Sequence, residues 1–322
     1  MAVTKPASAR AERFTIDERR YRIVAYTALV TLTLIVFTGA AVRLTGSGLG
    51  CPDWPKCDGG RLLPELQSHT LIEFGNRMVT GVVGLPCLLA AIGAFRLRPF
   101  RRDLVVPACI LPLGVVAQAV LGGLTVIFDL SWEMVIAHYL VSILLLIAAA
   151  VLVWRVRRGP DAPREANDRA TVLATRVLAG WGLYVITAGT FATAAGPHAG
   201  GAGTGDYVAR LGAFGSETLR TLIHLHGHSA TAMGVGAVAL WLFARRRGAG
   251  APLVKALTVV CLLLAAQGVV GLVQYHTELP AAVVWVHAAL AAVLWLALVF
   301  GVLAAGRPVR RTAAQPVAAA SA

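Results

Sequence analysis

A chain of 322 residues that is 57% hydrophobic and 14% charged is too apolar for an ordinary soluble domain. Its net charge of +13 invites a nucleic-acid reading, but the placement of that charge excludes it, because 23 of the 29 Lys and Arg lie at the termini and in three alternate connecting segments. That is the positive-inside pattern of a multi-pass membrane protein with both termini cytoplasmic, whose basic charge faces anionic lipid.

Residues 1–21 are polar, carry Lys5, Arg10, Arg13, Arg19 and Arg20, and do not read as a signal peptide. Eight apolar spans follow, at about 22–42, 72–95, 104–127, 133–154, 171–194, 219–244, 256–275 and 281–305. Each approaches the roughly 20 residues a helix needs to cross the hydrocarbon core. The expected fold is therefore all-α and integral to the membrane, with no strands. The linkers on one side are basic, at Arg96–Arg102, Arg155–Arg176 and Arg245–Lys255. Those on the outer side are Gly-rich and long at about 43–71 and 195–218, and short at about 128–132 and 276–280.

The long–short order repeats, and so do the residues. The segment AQAVLGGLTVIFDLSWEMVIAHYL at 117–140 aligns without a gap on AQGVVGLVQYHTELPAAVVWVHAA at 266–289. Gln118 meets Gln267, Gly122 meets Gly271 and His138 meets His287. Earlier in each half Gly39 meets Gly189 and Asn76 meets His226. The chain thus reads as two pseudo-symmetric four-helix bundles in one orientation. They occupy 22–154 and 171–305, joined by a cytoplasmic linker at 155–170, with a cytoplasmic tail at 306–322 expected to be disordered.

Polar groups inside a bilayer need a reason. The repeat selects Asn76 and His226 near the outer ends of spans 2 and 6, and His138 and His287 near those of spans 4 and 8. Each half thus brings two such positions to one depth, on helices expected to be neighbours. Facing imidazoles across a bundle suit the axial positions of a haem iron. The bland alternative is a packed or interfacial histidine. His224 and His228 flank His226 at i and i+4 of each other and face away from it, toward a wet mouth or a metal. His69, His198 and His276 read as loop residues.

Glu73 starts span 2, shares a face with Asn76, and has Arg77 at i+4. It is either a carboxylate placed by the helix dipole or a proton acceptor aimed at a substrate near Asn76 and His138. Cys51 and Cys57 bracket CPDWPKC in the first outer loop, where a disulfide persists. Exchanging thiols and metal ligands are the other readings. Cys87, Cys109 and Cys261 read as small packed residues.

VRLTGSGLGCPDWPKC at 42–57, IEFGNRMVTG at 72–81, AQAVLGGLTV at 117–126 with His138, and AQGVVGLVQ at 266–274 with His287 together resemble the haem A synthases. The resemblance runs from the first span to the last. It implies oxidation of the C8 methyl of haem O to a formyl group, with oxygen from water. It also implies a resident haem b between His226 and His287, and a haem O site in the N-terminal half with His138, Asn76 and Arg77. Glu73 matches the family's essential glutamate, and Cys51 and Cys57 match its cysteine pair. Many members carry His where this chain has Asn76; Asn is a poor haem-iron ligand, so one strong protein ligand, His138, is expected in the N-terminal half rather than two. Implied partners are a haem O-forming farnesyltransferase and cytochrome oxidase assembly factors, at the cell membrane; a homo-oligomer is compatible with the sequence. The runner-up function is a non-enzymatic di-haem b electron carrier. A duplicated transporter finds no paired broken helices in support.

Overall fold

The computed structural model describes residues 15–57, 66–159 and 166–309. Eight helices long and apolar enough to cross a membrane account for most of it. They are α1 (Glu18–Leu44), α2 (Ser68–Arg96), α3 (Arg102–Ile127) and α4 (Trp132–Arg157), then α5 (Arg169–Ala195), α6 (Thr218–Arg246), α7 (Ala251–His276) and α8 (Ala281–Ala305). Most run a few residues past the apolar spans because polar groups close their ends. The Asp17 side chain accepts from the Arg20 N–H ahead of α1, and Asp168 accepts from Ala170 and Thr171 ahead of α5. The Thr171 hydroxyl also donates to Asp168 and holds its carboxyl below the usual range.

Helices α1 to α4 pack as a ring, each against the next and α4 back against α1; α5 to α8 repeat that order. The two positions selected in each half lie on the second and fourth helices of a ring. These helices are diagonal rather than neighbouring, as the sequence reading had them. A diagonal places a cavity-lining pair across the bundle axis, whereas neighbours would share one seam. The rings meet along α1, α4, α5 and α8, and α4 and α8 are the most enclosed helices, with 44% of each span buried. Indole N–H groups tie this seam: Trp285 donates to the Phe37 carbonyl at 2.9 Å and Trp295 to that of Ile143 at 2.8 Å. Alanine dominates the tightest contacts, as at Ala25, Ala28, Ala90, Ala94 and Ala108, where small side chains let backbones approach. Ile23, Leu113, Val235 and Val269 instead point outward, a distribution suited to lipid.

The short connections repeat as well. Asp129 and Leu130 (φ 48° and 56°) and Glu278 and Leu279 (φ 61° and 61°) all adopt left-handed backbone. Such non-glycine residues cost about 1 kcal/mol each or more. Leu130 N–H returns to the Thr125 carbonyl at 2.7 Å, and Leu279 N–H to that of Gln274 at 2.9 Å.

One finding departs from the strand-free expectation. Ala166–Asp168 (β1) pairs in parallel with Arg307–Val309 (β2), joining linker to tail. Asn167, 7% exposed, explains why: its amide donates to the Ala305 carbonyl at 3.0 Å and accepts from Gly250 N–H at 3.1 Å. The start of the tail is therefore ordered. The disorder expected after Arg311 falls outside the described residues, as do 1–14, 58–65 and 160–165.

Candidate functional site

In the C-terminal ring, His226 lies eight residues into α6 and His287 six residues into α8, at similar depth. Their ring centroids are 6.1 Å apart with planes at 71°. Two imidazoles bound on opposite sides of one metal ion place their centroids roughly 6 Å apart, taking about 2 Å per metal–nitrogen bond and about 1 Å from nitrogen to ring centre. The centroid separation is therefore the one that two imidazoles sharing a metal ion would have. His226 Nδ1 lies 3.0 Å from the Val185 carbonyl. A carbonyl only accepts, so Nδ1 carries the proton and Nε2 presents its lone pair, as in a histidine prepared to ligate.

The repeated glycines make room for these rings. A Cβ at Gly189 would lie 3.0 Å from Cε1 of His226, and one at Gly271 would lie 3.4 Å from Cε1 of His287. In the N-terminal ring a Cβ at Gly122 would lie 3.4 Å from Cε1 of His138. At Gly39, opposite the shorter Asn76, a Cβ would meet nothing within 4 Å. Gly39 thus keeps a clearance that Asn76 does not use.

Asn76 departs from an imidazole in a second way. Its Oδ1 accepts from the Thr38 hydroxyl at 2.7 Å. That oxygen is the Asn atom suited to a metal, and Thr38 engages one of its two lone pairs and orients it. His138 is left as the imidazole of the repeat-related pair in its ring, while Gln118 donates to its backbone carbonyl at 3.1 Å.

Glu73 is 5% exposed and both of its oxygens are engaged: Oε2 accepts from the Cys51 N–H at 2.6 Å and Oε1 from Arg77 at 2.5 Å. Arg77 also donates to the carbonyls of Asp53 (2.8 Å), Lys56 (3.0 Å) and Cys51 (2.8 Å). The two side chains clamp the CPDWPKC loop to α2, and Arg77 acts through that loop. Cys51 and Cys57 form a disulfide, which decides among the three readings of the pair. Trp54, at the loop tip, lies against Gly123, where a Cβ would come within 2.5 Å of the indole. Gly123 is one residue from the Gly122 that faces His138, so the stapled loop packs against the same turn of α3. The repeat places Ile223 and Gly227 opposite Glu73 and Arg77, so the C-terminal ring has no such clamp.

The remaining histidines sort by geometry. Of the three on α6, His226 is the one in edge-on ring contact with His287; His224 and His228 are exposed and 5.8 Å apart by centroid. His69 lies in the first turn of α2, not a loop, with Nδ1 2.8 Å from Ser47 Oγ. His198 Nε2 donates to the Leu279 carbonyl at 2.8 Å, and its own carbonyl accepts from Arg43 at 3.0 Å. These two histidines fasten the long loops to each other and to the seam, together with Gly48 N–H on the Gly200 carbonyl at 2.9 Å. Nothing in the sequence around them announces those distant partners. His276 ends α7 and touches Tyr275.

Residues 22–299 match the COX15-CtaA family, described as cytochrome oxidase assembly protein. The chain is 32% identical over 142 residues to a Heme A synthase of Lysinibacillus sphaericus, covering 43% of this chain and 46% of that protein. It is 35% identical over 146 residues to a Heme A synthase of Geobacillus kaustophilus, covering 44% and 45%. It is 30% identical over 168 residues to a Heme A synthase of Listeria monocytogenes, covering 51% and 52%. The matches span about half the length of these relatives.

Proposed function

Because the chain belongs to the COX15-CtaA family of multi-pass membrane proteins, we propose that it is a haem A synthase that oxidises the C8 methyl of haem O to a formyl group. The observation that carries this reading is the inequality of the two rings: at the repeat-related positions one has a spaced pair of imidazoles, and the other has one imidazole and an asparagine, with a clamped, disulfide-closed loop packed against it. In this reading His226 and His287 would hold a resident haem b by its iron. When bound, that haem supplies a one-electron relay for the oxidation.

His138 holds the substrate iron from one side. Asn76, capped by Thr38, leaves the other side without a protein ligand, which eases loading and release of the macrocycle. Glu73 is the carboxylate placed to receive protons as the methyl group is oxidised, with Arg77 as its counter-charge. The Cys51–Cys57 loop and Trp54 cover the site and limit water. The long-loop end of the bundle faces outward and both termini lie in the cytoplasm of the cell membrane. A haem O-forming farnesyltransferase and cytochrome oxidase assembly factors are the proposed partners.

The test is expression in a host that makes haem O but no haem A, followed by haem extraction and chromatography. Haem A is expected. Haem b alone would favour an electron carrier, and no haem would overturn both readings.

Two glycine substitutions follow from the clearances. Gly189→Ala puts a methyl group 3.0 Å from the His226 ring and is expected to weaken or broaden the low-spin haem b signal. Gly39→Ala meets nothing within 4 Å and is expected to leave haem b content at the wild-type level. Optical and paramagnetic resonance spectra of the purified variants check both.

A further inference from the structure

The same pair of buried polar atoms stands without a partner in both rings. Gln118 Oε1 and His138 Nδ1 lack one among the described residues, and so do Gln267 Oε1 and His287 Nδ1. A buried polar atom left unpaired costs about 1–3 kcal/mol. Retaining that cost at two sites related by duplication calls for a reason.

The geometry names one. Gln267 Nε2 donates to the His287 backbone carbonyl at 3.0 Å, and Gln118 Nε2 to that of His138 at 3.1 Å. Those bonds fix which way each amide points, because a carbonyl cannot receive the amide oxygen. Oε1 is thereby turned to a fixed side of the same histidine. One turn along α7 from Gln267 lies Gly271, where a Cβ would be 3.7 Å from His287 Nδ1. Gln267 and Nδ1 therefore border one patch of the α7–α8 contact, and Gln118 and His138 Nδ1 border its counterpart between α3 and α4. His226 shows the alternative arrangement, with its Nδ1 satisfied by Val185.

We propose that Gln267 is a positioning residue for the haem b ligand His287, its side-chain carbonyl accepting the Nδ1 proton through one bridging water, and that Gln118 does the same for His138. This inference rests on the haem-ligand reading of His287. The amide then holds the ring at two points, by its backbone and by its proton. It fixes the tautomer with Nε2 toward the iron and raises the basicity of the ligand. A more basic axial imidazole stabilises ferric over ferrous iron and lowers the reduction potential.

The test compares Gln267→Met, of similar length without the acceptor, with Gln267→Glu, which keeps an acceptor. The readouts are the haem b midpoint potential and the low-spin resonance signal of the purified full-length protein. The Met variant is expected to shift the potential upward, and the Glu variant to hold it at or below the wild-type value. Loss of haem from Met with retention in Glu also supports the proposal. Unchanged potentials in both, shifts of both in one direction, or loss of haem from both would overturn it. Absence of a bis-imidazole haem from the wild-type protein would instead overturn the ligand reading beneath it.

Discussion

Replacing His287 with Leu is expected to remove the resident haem b while leaving the eight-helix fold in place. Leu is a strong helix former of similar bulk, and α8 is a helix of 25 residues with a continuous apolar sequence. Nδ1 of the lost ring has no direct protein partner among the described residues, so the change removes no protein–protein hydrogen bond there. In the proposed reading the haem would lose one of the two imidazoles that hold it, whose centroids lie 6.1 Å apart. Removing a partner of a metal ligand already costs 10–100-fold in affinity, so loss of the ligand itself is expected to exceed about 100-fold. Haem content per protein and the low-spin resonance signal check this. A wild-type bis-imidazole spectrum in the variant would place the iron elsewhere.

Glu73→Gln is expected to lower conversion of haem O by about 100-fold or more, the usual scale for loss of an acid–base group, with haem b retained. The glutamine still offers an oxygen to the Cys51 N–H, and Arg77 keeps its three loop carbonyls. The loop therefore stays seated while the charge is lost. Glu73→Ala removes the acceptor too. It breaks an ion pair whose side chains are 7% and 19% exposed, at a cost of about 3 kcal/mol or more, and is expected to free the loop. The ratio of haem A to haem b reports conversion, and hydrogen exchange at residues 51–57 reports the loop. Full conversion by the Gln variant would make Glu73 a loop anchor alone. Loss of haem b would make it an anchor of the whole fold.

What the sequence made legible follows from period and repetition. The eight spans are visible because apolar runs of that length have one common explanation. The duplication is visible because Gln, Gly and His recur at fixed spacing, and the structure gives those matches a cause: Gly189, Gly122 and Gly271 are the clearances of three imidazole rings. What stayed hidden depends on contacts between distant positions. Asn76 is plainly not His, but that Thr38 takes its oxygen needs the α1–α2 packing. Glu73 and Arg77 are recognisable as a pair on one helix turn, but their grip on Cys51, Asp53 and Lys56 depends on how a 20-odd-residue loop folds back. His69 and His198 look like ordinary loop histidines because their partners lie about 20 and 80 residues away. The diagonal placement of the paired positions is a property of ring closure, which no single span encodes.

The proposed division of labour between unequal rings is tested most directly in one variant. His138→Leu, purified from cells that make haem O, should retain haem b with its low-spin bis-imidazole signal and yield no haem A on extraction. Loss of haem b from this variant, or undiminished haem A, would contradict it.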